Sequence, residues 1–132
     1  MIKGIGHIAL AVRDIEPVAA ALCRTFGLPL PLIRTFPERR MKVALIELGP
    51  VQHELLEDLS ETGMIARHVA AHGNSIHHFC LLTDAIDSDL EDLKNRAVPL
   101  MDLVPREGLR GKRIAFISPE LLEGIPIELS DP

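Results

Sequence analysis

Strict alternation opens the chain. Across residues 5–12, Ile5, His7, Ala9 and Ala11 fall on one face of an extended segment, and Gly6, Ile8, Leu10 and Val12 on the other. The pattern predicts a strand in which His7 shares its face with two small residues. Asp14 then stands as an N-cap, Pro17 suits a first helical turn, and Val18, Ala21, Leu22 and Phe26 recur at helical spacing until Gly27. Pro29, Pro31 and Pro37 break the next stretch and leave room only for an edge strand around 32–36. Residues 42–48, a Gly49-Pro50 turn and residues 51–56 predict a hairpin. In it Glu54 shares a face with Gln52 and Leu56, while His53 and Leu55 point the other way. A helix over 60–72, with Met64, Ile65, Val69 and Ala70 apolar, closes at Gly73-Asn74.

The same order then returns. A strand is expected over 76–83, a helix over 85–96 with Ile86, Leu90 and Leu93 inward, an irregular strand over 100–104, and strands over 112–118 and 125–130. A shift of 71 residues superimposes Gly6-His7-Ile8-Ala9-Leu10 on His77-His78-Phe79-Cys80-Leu81, and Lys42-Val43-Ala44-Leu45-Ile46 on Arg113-Ile114-Ala115-Phe116-Ile117. A shift of 74 carries Glu54-Leu55 onto Glu128-Leu129. The chain reads as one module written twice. Each copy is β-α-β-β-β, about 1–58 and 74–131, joined by the helix at about 60–72 within a single α+β domain spanning 1–132.

Composition narrows the function. The chain has 132 residues, 47% of them hydrophobic and 25% charged, an ordinary globular balance. Its formal net charge of −5 disfavours a long nucleic-acid footprint, and the lack of Trp and Tyr removes the usual base-stacking platforms. Cys23 and Cys80 show no metal-type spacing and read as reduced core residues. No signal-peptide pattern or membrane-length apolar run is present, so the expected location is the cytoplasm, with neither membrane nor nucleic acid as partner.

The repeat also pairs its chemistry. Each copy has a His near the start of its first strand and a Glu in its last, giving His7, Glu54, His78 and Glu128. Two imidazoles and two carboxylates suit a divalent ion, Co, Zn, Ni, Mn or Fe(II), and contain no thiolate of the kind that closes a structural zinc site. A lone strand His is most often just a half-buried residue; repetition at matched parity is what raises these four above it. By alternation His77 and His53 face away from their ligand-bearing neighbours. His68 and His72 stand at i and i+4 on a helix but lack the Glu of an H-E-x-x-H pattern, and read as a solvated face.

Over essentially its whole length the sequence resembles the vicinal oxygen chelate superfamily, the glyoxalase and bleomycin-resistance fold, and within it methylmalonyl-CoA epimerases. The likeness rests on Gly6 to Val12, on Leu48 to Glu57, on Ser75-Ile76-His77-His78-Phe79, on Gly111 to Ile117 and on Ile127-Glu128-Leu129. The resemblance implies paired βαβββ modules forming a half-open mixed β-barrel, with metal held by His7, Glu54, His78 and Glu128. It implies an enzyme that removes the proton α to a thioester and returns it on the opposite face. Its partners would be an acyl-CoA or glutathione thioester-like small molecule and a second copy of the chain, as a homodimer.

Glu128 is the expected base. For the second proton-transfer group, the position where relatives carry an acidic residue aligns with Val43. Glu47, of the same parity, is the candidate carried forward, with Glu38 also near. Two motifs depart from the epimerases: Arg110-Gly111-Lys112 replaces His-Gly-Lys, and Ser118-Pro119-Glu120 replaces His-Pro-Lys. Glyoxalase I, with the same two-His, two-Glu set, is the alternative reading. A binder without metal is the non-enzymatic one.

Overall fold

The structure, a computed structural model, describes every residue from Met1 to Pro132. It separates into two compact units, Ile8–His77, and Met1–His7 together with His78–Pro132. Strands β1 (Ile2–Ala11) and β5 (Ser75–Thr83) pass from one to the other, each at a His singled out above. These units are cut differently from the sequence modules, because the first residues of the chain pack with its second half.

In the unit Ile8–His77, helix α1 (Ile15–Phe26) is followed by strands β2 (Ile33–Phe36), β3 (Met41–Leu48) and β4 (Val51–Asp58), then helix α2 (Met64–His72). The strands form an antiparallel meander, with Ala44 paired to Leu55 and Leu45 to Glu54. Side chains alternate across the sheet. Ala44, Ile46 and Leu55 therefore pack with Ile15, Ala19 and Cys23 of α1, while Val43, Leu45, Glu47, Gln52, Glu54 and Leu56 share the other face. Asp14 stands at the N-cap of α1 without a side-chain cap; the Ile15 N–H instead donates to Glu57 Oε1 at 2.8 Å. Gly27 ends the helix at φ 66°, a conformation glycine enters without steric cost.

In the other unit β5 pairs in parallel with β8 (Ile127–Ser130), which pairs antiparallel with β7 (Arg113–Ile117), itself edged by the two-residue β6 (Arg106–Glu107). Helix α3 (Ile86–Asn95) covers one face, its Ile86 and Leu90 packing with Ala115, Ile117, Ile127 and Leu129. Residues of the opposite parity are left for the other face: His78, Cys80, Phe116 and Glu128.

The irregular strand expected over 100–104 does not form. Only a bridge from Leu100 to Ile117 remains. Both the Met101 and Asp102 N–H groups donate to the Phe116 carbonyl, and Asp102 Oδ2 accepts from the Phe116 N–H at 2.8 Å. A side chain thus replaces a ladder rung. No helix is long and apolar enough to cross a membrane.

Candidate metal centre

Three of the four repeated residues converge in the second unit. His7 lies near the end of that unit's part of β1, His78 near the start of β5, and Glu128 in β8, where the β5–β8 ladder sets it beside Cys80. Gly6 permits this approach: a Cβ there would stand 2.7 Å from Leu82 Cδ2 and 2.9 Å from its Cγ. His7 and His78 are each 2% exposed and Glu128 7%. His7 Nε2 stands 3.4 Å from His78 Nε2, with Glu128 Oε2 3.8 Å from the first and 3.3 Å from the second.

That triangle fits a first-row ion. Bonds of about 2.1 Å to each donor put adjacent donors about 3.0 Å apart in an octahedral site and about 3.4 Å apart in a tetrahedral one. The separations of 3.4 and 3.3 Å already match the tetrahedral spacing, and only the 3.8 Å between His7 Nε2 and Glu128 Oε2 has to close, by about 0.4 Å. The Phe116 ring meets His78 edge-on, with centroids 5.1 Å apart, and limits the imidazole's rotation.

The electrostatics suit coordination as well. Burial lowers His7 to about 4; Glu128 pulls against that shift and the charges of Arg110 and His78 add to it. The ring is neutral at pH 7 and can offer a lone pair. For Glu128, burial pushes upward, but the hydrogen bond and charge of His78, and the charges of His7 and Arg110, outweigh it and hold the carboxyl below its ordinary value. It is ionised at neutral pH.

Glu54 lies in the other unit, buried on β4 opposite Leu45. Glu47, opposite Gln52, is its diagonal neighbour on the same face, exposed near the end of β3. Glu38 falls in a short 3-10 turn, Pro37–Arg39, and Val43 is buried. His77 points away from the centre, its ring 4.9 Å from that of His68 on α2. His68 is no solvated bystander: it is partly buried and bonds Ser75 Oγ at 2.8 Å through Nε2. Only His72 of that helical pair is exposed.

Two neighbours were not legible as such. Cys80, in no disulfide and wholly buried, is a core residue as expected, and its Sγ belongs to a donor group with His7 and Glu128 whose ligand atoms lie within 4.8 Å of one another. A sulfur thus stands beside the nitrogen and oxygen donors. The two-residue step from His78 to Cys80 was the available signal. Arg110 is the second: its Nη2 donates to His7 Nδ1 at 2.8 Å across 103 residues of sequence, and no local pattern announces it.

Against known proteins, the chain matches the Glyoxalase/Bleomycin resistance protein/Dioxygenase superfamily over residues 6–116. It is 32% identical over 128 residues to the uncharacterised protein YqjC of Bacillus subtilis, covering 97% of this chain and 91% of that one. The ethylmalonyl-CoA/methylmalonyl-CoA epimerase of Cereibacter sphaeroides is 30% identical over 131 residues, 98% of each chain. A solved methylmalonyl-CoA epimerase in complex with methylmalonyl-CoA and NH4+ superimposes with a TM-score of 0.90 at 25% identity, covering 99% of this chain and 95% of that one. The fold is glyoxalase-like, and the chain belongs to the Glyoxalase/Bleomycin resistance protein/Dioxygenase superfamily.

Proposed function

We propose that the protein is a metal-dependent epimerase of a malonyl-type acyl-CoA, with methylmalonyl-CoA as the substrate to test first. The observation that carries this reading is the buried triangle of His7, His78 and Glu128 in a chain alike along its length to named epimerases. His7, His78, Glu128 and Glu54 hold the ion, Glu54 by its matched place in the repeat. Zn, Co, Ni, Mn and Fe(II) all suit this nitrogen-and-oxygen set. When bound, such an ion supplies Lewis acidity that stabilises negative charge on a carbonyl oxygen.

The chain's own groups handle the proton. Glu128, held ionised by its imidazole neighbours, accepts it from the carbon between thioester and carboxylate. Glu47 is assigned the return of a proton to the other face, supported by its place beside Glu54 on one face of the β3–β4 ladder. Burial of the two imidazoles keeps water from competing. The active form is a homodimer, on the likeness to the superfamily.

The test follows the α-proton of methylmalonyl-CoA into deuterated solvent by NMR, with protein loaded in turn with Co, Mn, Ni and Zn. Exchange above the protein-free rate is expected, and Glu128→Gln should slow it at least 100-fold. No exchange with any ion overturns the reading. Turnover of a glutathione hemithioacetal in its place would assign the site to the glyoxalase I reaction.

A further inference from the structure

Cys80 is a core residue by burial and a donor by position. Phe79 and Leu81, its neighbours in β5, pack with the core against α3. Cys80 has the opposite parity, and the β5–β8 ladder pairs it with Glu128 on the face that also carries His78. One nitrogen of His7, the Cys80 sulfur and one Glu128 oxygen lie within 4.8 Å of one another, and all three residues are buried. His78 Nε2 stands 3.4 Å from His7 Nε2 and 3.3 Å from Glu128 Oε2. Two nitrogens, an oxygen and a sulfur therefore gather within one compact unit.

Buried cysteines commonly serve as small apolar side chains. Cys23 is one of these, packed with Val12, Ile15, Ala19 and Leu55. Cys80 instead has an imidazole and a carboxylate within reach of its sulfur. With sulfur at about 2.3 Å and nitrogen or oxygen at about 2.1 Å from a tetrahedral ion, the two donors stand about 3.6 Å apart. Donors within 4.8 Å of one another need close by about 1.2 Å at most, through side-chain rotation, and a larger ion such as Cd(II) asks for less.

We propose that Cys80 is a ligand of this centre for thiophilic ions, and so the residue that sets the centre's choice of metal. The inference rests on the reading of His7, His78 and Glu128 as a metal centre, and not on the reaction assigned to it. A thiolate favours Zn(II), Cd(II) and Cu(I), whereas Mn(II) favours oxygen and nitrogen donors and leaves Cys80 a thiol. When a thiophilic ion binds, the Cys80 S–H bond breaks, its proton passes to solvent, and the sulfur lone pair forms the bond to the ion. No electron changes hands.

The experiment loads wild type, Cys80→Ala, Cys23→Ala and His7→Ala with Cd(II) and records cadmium NMR. Wild type should give a resonance far downfield of the range for nitrogen and oxygen donors, the mark of a bound sulfur. Cys23→Ala should keep that resonance, and Cys80→Ala should lose it. Co(II) gives a second reading: wild type and Cys23→Ala should show an intense near-ultraviolet band from sulfur-to-cobalt charge transfer, absent in Cys80→Ala. Competition with a chelating dye should show Cd(II) affinity weakened at least about 10-fold in Cys80→Ala, with Mn(II) affinity within about two-fold of wild type.

A wild-type cadmium resonance in the nitrogen-and-oxygen range overturns the inference, whether or not the variants fold, and leaves the metal centre standing. So does a sulfur signal that survives in Cys80→Ala. A sulfur resonance of unchanged position in His7→Ala would mean that Cys80 binds cadmium apart from the centre, and overturns it too. If wild type binds none of the three ions, the inference falls together with the metal centre. If it binds them but exchanges no thioester, the proposed reaction fails, and the cadmium signal still decides on Cys80.

Discussion

His7 Nε2 and His78 Nε2, from residues 71 positions apart, stand 3.4 Å from each other inside one compact unit, both rings almost wholly buried. Two imidazoles this close, with a carboxylate completing the triangle, are arranged for a shared partner. His78→Ala removes one donor without touching the α3 core, which lies on the opposite face of the β5–β8–β7 sheet. Metal bound per chain, measured by plasma emission after dialysis, should fall to a small fraction of the wild-type value. The far-ultraviolet circular dichroism should be unchanged. Loss of folded structure on metal removal would show that the ion holds the unit together.

His77→Ala separates position from identity. Its ring packs against His68, not towards the triangle, so metal content should match wild type. The cost falls on stability, about 1–2 kcal/mol by denaturant unfolding, because β5 loses a packed ring against α2. Equal metal loss from the His77 and His78 variants would contradict the strand parity that distinguishes them.

Alternation makes that distinction readable from residue order. Period 2 is a property of the extended backbone, so His7, His78 and Glu128 could be placed on faces from residue order alone. Gly27 and the Gly49-Pro50 turn were equally local. What alternation does not carry is distance: Arg110 meets His7 across 103 residues, and Glu57 caps α1 from β4 in place of Asp14. The missing strand at 100–104 has the same origin, since the Asp102 carboxylate reaches the Phe116 N–H that a backbone carbonyl would have met. Tertiary partners override local preference in each case.

Gly6 fixes how near β1 can bring His7. A methyl group at this position would press on Leu82, and the leucine would have to leave its rotamer. Gly6→Ala should destabilise by about 1–2 kcal/mol. It should also weaken metal binding, because the adjacent His7 is displaced with the backbone. The double variant Gly6→Ala with Leu82→Ala should recover part of the stability relative to the sum of the single changes, measured as a double-mutant cycle in urea. Strict additivity would show that Leu82 is not what excludes a side chain from position 6.

Asp58 governs a different property, the response of the fold to acid. Helix α2 begins after Gly63, which has no side chain to cap it, and the Asp58 carboxylate serves instead. Its Oδ2 accepts from the Ala66 N–H at 3.0 Å, and its Oδ1 from the Ser60 hydroxyl and N–H at 2.6 and 2.9 Å. Burial raises this carboxyl's pKa, but the bonds from Ser60 and Ala66 and the charge of Arg40 outweigh it and leave the pKa below the ordinary 3.8. An acid whose folded value is depressed stabilises fully above its unfolded pKa, and the contribution fades as pH falls through the folded one. Asp58→Asn removes the charge at the helix start and should cost about 1 kcal/mol at pH 7. Urea unfolding at pH 7 and at successively lower pH should show that gap narrowing in acid, as the wild-type carboxyl becomes protonated as well. A gap of constant size across that range would mean that the charge of Asp58 plays no part and that only the shape of its side chain matters.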